Sequence, residues 1–127
     1  MKRFLFFVLI APAFFTSCKK PDYEKILHDP TLYSRTVHNL NGVVMGNNFS
    51  PVVASRNYAY AAVAGYEVIG AGQPDKFNSL VGQVNGLTEV AKPTAGEKID
   101  YEYASILAFC KVGEAVTFPE GSMKDYT

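Results

Sequence analysis

Apolar residues recur along much of this chain at helical spacing, and proline, glycine and asparagine cut the pattern into segments. Asp29-Pro30 pairs a capping carboxylate with a proline at the first helical position, where a missing N–H is harmless. Behind it, Thr31 to about Met45 carries Leu32, Val37, Leu40, Val43 and Val44 as one apolar face and stops at Gly46-Asn47-Asn48. Ser50-Pro51 repeats the device and opens a longer helix, Val52–Ile69, ended by Gly70-Ala71-Gly72. Phe77–Val84 reads as a short helix closed by Asn85-Gly86. Residues 88–98, with Pro93 and Gly96, show no period and read as a loop. Asp100 caps a last helix from Tyr101 to about Thr117, stopped by Pro119 and Gly121. No stretch alternates with period two, so the expected fold class is all-α, a helical bundle.

Two of these helices have an unusual wheel. In Val52–Ile69, Arg56, Tyr60, Val63 and Glu67 form one stripe, and the remaining surface is nearly all Ala, Val, Gly and Tyr. In Tyr101–Thr117 the polar residues Lys111 and Glu114 continue a narrow strip from Asp100. A helix that is apolar almost all round belongs in the centre of a bundle. Two such helices need partners on most sides, more than the remaining segments offer. Residues 29–127 are therefore expected to be the N-terminal scaffold part of a larger helical domain, completed by missing C-terminal helices or by an oligomeric partner. Arg56 and Glu67 lie about 16 Å apart along the axis at 1.5 Å per residue. Each is expected to pair with a group on another helix.

Composition narrows the classes. The 127 residues suit one domain. Twelve basic against twelve acidic residues give no net charge, which excludes an electrostatic nucleic-acid binder. With 48% hydrophobic and 19% charged residues the chain is not a disordered polar segment. Two cysteines are too few for a disulfide scaffold or a four-cysteine zinc site.

The amino-terminal segment reads as an address. Met1-Lys2-Arg3 is followed by a run, Phe4 to Phe15, that is apolar except for Pro12. It is too short for a bilayer-spanning helix of about 20 residues and fits the apolar region of a signal peptide. Thr16-Ser17-Cys18 then resembles the lipobox of bacterial lipoproteins. That resemblance implies a signal peptide over residues 1–17, a diacylated Cys18 as the new N-terminus, and anchorage to the cell envelope, at the outer membrane. The alternative is an ordinary signal peptide with a chance cysteine. Residues 18–28, charged and containing Pro21, read as a tether. Cleavage would remove Lys2 and Arg3, leaving a slight acidic excess, and lipidation would leave Cys110 as the sole free thiol.

Candidate chemistry is sparse. His28 and His38 have no H-x-x-x-H, H-E-x-x-H or C-x-x-C around them, so no metal site is expected. Cys110, in Leu107-Ala108-Phe109-Cys110, reads as inert packing. Asp22, Glu24, Asp29, Glu97, Asp100 and Glu102 are loop and cap carboxylates with nothing to order them as a dyad. Gly70-Ala71-Gly72 follows a helix and reads as its C-terminal cap rather than a phosphate loop. No catalytic, cofactor-binding or metal-binding residue is assigned.

Several phrases do carry a resemblance. Asn48 to Tyr60 (N-F-S-P-V-V-A-S-R-N-Y-A-Y) is similar to the phrase F-S-P-P-x-A-S-R-x-Y-A-Y of a bacterial family, and Ala64-Gly65-Tyr66-Glu67 continues it as A-x-Y-E. Leu80 to Leu87 (L-V-G-Q-V-N-G-L) resembles its L-x-G-Q-L-N-G-L. Tyr103-Ala104-Ser105 and Val112-Gly113-Glu114-Ala115 agree with its next helix. The family is the vanadium-dependent haloperoxidase-like proteins of Bacteroidetes-type bacteria, within the type 2 phosphatidic acid phosphatase superfamily, and its members often carry a lipoprotein signal. The likeness runs from about Tyr33 to Phe118. It implies an all-helical fold whose four-helix bundle holds vanadate or a substrate phosphoryl group through K-x(6)-R-P, S-G-H and S-R-x(5)-H. There Lys and Arg neutralise the anion and a His is ligand or nucleophile. None of these motifs occurs here: Arg35 and Arg56 each follow a serine but lack the spaced histidine. The family places them downstream. The expectation is thus an N-terminal fragment without the vanadate or phosphate site, inactive alone, with vanadate belonging to the longer parent. The rival is a complete small lipoprotein acting as a binding or interaction module.

Overall fold

The structure, a computed structural model, describes residues 23–117 and 122–126. Helices α1 (Tyr23–Leu27), α2 (Leu32–Gly46), α3 (Pro51–Gly72) and α4 (Tyr101–Val116) precede a 3₁₀ helix, Ser122–Tyr126. The fold is all-α, with no strand among the described residues. α3 and α4 share the most extensive interface, and α2 and the 3₁₀ helix close over it.

The α3–α4 seam is tight because Gly65 has no side chain. A Cβ there would stand 3.3 Å from the Ser105 carbonyl oxygen and 3.5 Å from Phe109 Cβ. The Ser105 hydroxyl uses that approach to donate to the Gly65 carbonyl at 2.8 Å, inside the seam. Leu40, Val43, Val44, Ala61, Phe109 and Met123 make the core. Phe109 meets the Tyr33 ring edge-on at 5.6 Å. Met123 and Leu40 converge on Gly113, where a Cβ would sit 3.3 and 3.4 Å from them. Each fully buried side chain of this size contributes roughly 1.5–3 kcal/mol relative to exposure.

The helix starts follow the capping residues to different degrees. Asp100 caps α4, accepting from the Tyr103 amide at 3.0 Å. Ser50 precedes Pro51 at the head of α3 without a side-chain bond. Asp29 is not the cap of α2, which is Thr31. Its Oδ1 instead accepts from the Thr31 amide and hydroxyl, at 2.9 and 2.8 Å, one turn ahead of the helix.

Two further expectations, on the end of α3 and on Phe77–Val84, differ from the structure. α3 runs through Gly70-Ala71 to Gly72, where a Cβ would come within 2.5–2.8 Å of the Tyr101 side chain, so only glycine fits there. Phe77–Val84 is not a helix. Gly82 adopts φ +76°, outside the right-handed helical region, and the Leu80 amide is taken by a side chain of α3. Only a turn remains, with the Gln83 and Val84 amides donating to the Leu80 carbonyl at 2.9 and 3.1 Å. The segment read as a tether contains α1, and His28 reaches Glu102 of α4 at 3.2 Å. The rest of it, with Cys18, residues 1–17, Pro119 and Gly121, lies outside the described residues.

α3 and α4 are not enclosed on every side. Val52, Val53 and Tyr60 on α3, and Tyr103 on α4, are exposed.

Candidate functional site

The most polar buried constellation is built around Glu67, in the C-terminal half of α3. Its side of the helix turns towards the chain that returns after the turn at Gln73–Lys76. Glu67 is 6% exposed. One carboxylate oxygen accepts from the Leu80 amide at 2.6 Å and the other from the Ser79 hydroxyl at 2.7 Å. The Ser79 oxygen in turn accepts from the Val81 amide at 3.1 Å. The Gln83 side-chain amide donates to the Ser79 carbonyl at 2.6 Å. Next along α3, the Tyr66 hydroxyl donates to the Asn78 carbonyl at 2.9 Å, and its ring meets Phe77 edge-on at 6.0 Å. Tyr66 and Glu67 thus moor a segment without regular structure to the helix.

Two clefts flank the mooring. One, about 670 Å³, lies between α3 and residues 88–93. The other, about 580 Å³, lies between α3 and residues 84–90, with Tyr60, Val63, Val68 and Leu87 among its walls. Glu67 and Glu89 line both. A third groove, about 370 Å³ and mainly apolar, runs beneath the α1–α2 turn between Leu27, Tyr33, Ile69 and Ile106.

The expected helix-to-helix partners of Arg56 and Glu67 are not what the structure holds. Glu67 is satisfied by a hydroxyl and an amide, because the returning chain brings Ser79 and Leu80 to it. Arg56 is exposed and makes no ion pair among the described residues. One turn behind the core residue Ala61, Asn57 is buried and its Nδ2 finds no acceptor among the described residues.

The remaining charged candidates have local roles. Arg35 holds Asp29 at 2.9 Å. The Thr31 amide and hydroxyl, with a smaller contribution from Arg35, hold the Asp29 carboxyl below its usual range. Glu114 receives Lys111 at 3.3 Å and Lys124 at 3.8 Å. His38 is exposed, and no group of three or more His, Cys, Asp or Glu residues able to hold a metal occurs among the described residues. Cys110 is a free, buried thiol that burial pushes up from its ordinary pKa, and burial does the same to the Tyr33 hydroxyl. No described helix is long and apolar enough to cross a membrane.

The Glu67 mooring escapes sequence reasoning because its donors lie twelve and thirteen residues downstream, across a turn. The available signal was the lone acid in an otherwise apolar stretch of α3, which called for a partner without naming it.

No protein-family model, no characterised protein and no solved structure matches this chain.

Proposed function

We propose that this chain is the N-terminal scaffold portion of a vanadium-dependent haloperoxidase-like or phosphatidic acid phosphatase-like lipoprotein, anchored to the cell envelope through a diacylated Cys18 and without catalysis of its own. One observation carries the reading. The residues in the resembling phrases are the joints of this fold rather than a reactive cluster. Gly65 and Ser105 close the α3–α4 seam, Glu67 moors Leu80, and Gly113 receives Leu40 and Met123. Along α3 the same phrases leave, among the described residues, Arg56 without an ion pair, Asn57 Nδ2 without an acceptor, and Val52, Val53 and Tyr60 exposed. A helix with that set of open groups is a surface on which further helices complete a bundle.

The described residues do not fit vanadate. An oxyanion needs converging cations or amide donors. Both clefts on α3 present the carboxylates of Glu67 and Glu89, with Lys92 beside them in the larger one, while Arg35 is occupied by Asp29 and Arg56 stands apart on an exposed face. Vanadate or phosphate chemistry therefore belongs, in this reading, to residues outside this set.

Residues 18–127 should show neither vanadate-dependent bromination nor phosphomonoester hydrolysis, and activity should appear when they are joined to a helical segment carrying K-x(6)-R-P, S-G-H and S-R-x(5)-H. Turnover by residues 18–127 alone overturns the scaffold reading. The anchor has its own assay: labelled palmitate should enter the wild-type chain and not Cys18→Ala, and equal label in both removes it.

A further inference from the structure

The chain contains two Asn-Gly pairs, Asn41-Gly42 and Asn85-Gly86, in opposite settings. In such a pair the glycine amide nitrogen can attack the asparagine side chain with no Cβ in its way. Asn41 and Gly42 lie inside α2, whose ladder of bonds engages the Gly42 amide. The Asn41 Oδ1 also accepts from the Tyr58 hydroxyl at 2.7 Å. Asn85 and Gly86 are both exposed, at the tip of a turn. The Leu87 amide donates to the Val84 carbonyl at 3.1 Å and Gly86 has φ +89°, the form of a type II turn with glycine third. Neither the Asn85 side chain nor the Gly86 amide has a hydrogen bond among the described residues.

The other exposed asparagine of this loop is Asn78. It is followed by Ser79, whose Cβ crowds the approach, and its carbonyl is held by the Tyr66 hydroxyl at 2.9 Å. Closing a ring requires the peptide after the asparagine to rotate until its nitrogen faces Cγ. At Asn85 that rotation costs only the bonds of one exposed turn, Leu87 to Val84 and Gly82 to Leu87. At Asn41 it would break a helix in mid-course, and at Asn78 it would strain the Tyr66 and Glu67 mooring. Local opening is therefore cheapest at Asn85.

We infer that Asn85 is a site of spontaneous covalent modification, deamidation and isomerisation to isoaspartate through a succinimide, and that the product opens the turn around it. The Gly86 amide nitrogen gives its proton to hydroxide and attacks Asn85 Cγ. The new N–Cγ bond forms as Cγ–Nδ2 breaks, and Nδ2 takes a proton from water and leaves as ammonia. Water then opens the ring. Attack at Cγ gives aspartate, and attack at the main-chain carbonyl carbon of Asn85 gives isoaspartate, in which the chain runs through the former side chain. Either product sets a carboxylate on the 580 Å³ cleft that Asn85 lines together with Glu67 and Glu89, where a third like charge is unfavourable. Isoaspartate also adds a methylene to the backbone of the turn. The chemistry uses only the turn's own atoms and water, so it holds with or without the scaffold reading.

The test is to age the full chain in detergent micelles at pH 8 and at pH 6, digest it, and count deamidated and isoaspartyl peptides by mass spectrometry. Asn85 should react about tenfold faster than Asn41 and Asn78, faster at pH 8 than at pH 6, and with isoaspartate as the larger product. In guanidinium chloride, which removes the helix, Asn41 should rise to the rate of Asn85. Hydrogen exchange should quicken at the Leu87 amide of the aged wild type and stay slow at Phe109. Aged Asn85→Gln, whose longer side chain would have to close a six-membered ring, should keep the Leu87 exchange of the fresh chain. Absence of product at Asn85, reaction at Asn41 or Asn78 as fast as at Asn85 in the folded chain, an Asn41 that stays inert in guanidinium chloride, or equal Leu87 exchange in fresh and aged wild type each overturns the inference.

Discussion

The α3–α4 seam and the chain between Phe77 and Pro93 rest on the same helix by different means. At the seam, Gly65 lets the Ser105 backbone and Phe109 come into van der Waals range, and a whole apolar core of α2, α3, α4 and Met123 closes around the contact. The 77–93 chain touches α3 mainly through Tyr66 and Glu67, and most of its residues are exposed. Stability in the seam is spread over many small dispersion contacts, so it depends on shape. In the loop it is concentrated in a few hydrogen bonds to one buried carboxylate, so it depends on chemistry. The seam should open only with the whole fold, and the loop should open by itself at lower cost.

The largest effect should come from the seam. Phe109→Ala removes a ring that is 2% exposed and should destabilise the chain by about 3–5 kcal/mol in denaturant unfolding. A loss under about 1 kcal/mol would mean that this ring is not central to the core and would erase the contrast.

Glu67→Gln should come next. The substitution keeps the shape but replaces one accepting oxygen by an amide that confronts a donor, for a loss of about 1–3 kcal/mol. The loss should be local. Hydrogen exchange should accelerate at the amides of Leu80 and Val81 and remain slow at Phe109. Equal acceleration at all three would make loop and seam one cooperative unit.

Between the two regions, Asp100 starts α4 where the irregular chain ends, accepting from the Tyr103 amide. Asp100→Ala should lower stability by about 1 kcal/mol without changing exchange at Leu80, which places the cap with the seam. A faster Leu80 amide would instead tie it to the loop.

What could be read in the sequence follows the same division. The seam helices were legible because their signals are local: Ser50-Pro51 and Asp100 mark the starts, and the apolar period runs unbroken to the ends. The all-α class followed from that period. The end of α3 is not legible because Gly70-Ala71-Gly72 looks like a stop, whereas Gly72 is there to make room for the Tyr101 side chain, twenty-nine residues away in sequence. Phe77–Val84 has helical spacing, but spacing does not report that Gly82 takes a positive φ or that Glu67 captures the Leu80 amide. Glu67 itself was legible as an acid needing a partner. The identity of that partner depended on how the chain folds back after Lys76, which no local pattern encodes.

The smallest effect, on Cys110, tests the seam from inside. The thiol is 3% exposed, and its pKa is raised by burial, which outweighs the opposing pull of Lys111. A thiol whose folded pKa exceeds its unfolded value binds its proton more tightly in the native state. Its contribution to stability is therefore full below the unfolded thiol's pKa and is lost as pH rises through that value towards the folded one. Wild type and Cys110→Ser should accordingly differ in stability by a constant amount near neutral pH, and the difference should shrink above the ordinary thiol range near pH 8.5. Labelling should agree: a thiol-specific disulfide reagent at pH 8 should modify native Cys110 at the rate of seam opening, and Phe109→Ala should accelerate the reaction while Glu67→Gln leaves it unchanged. Acceleration by Glu67→Gln would show that releasing the loop also opens the seam, and the separation of the two regions would fail.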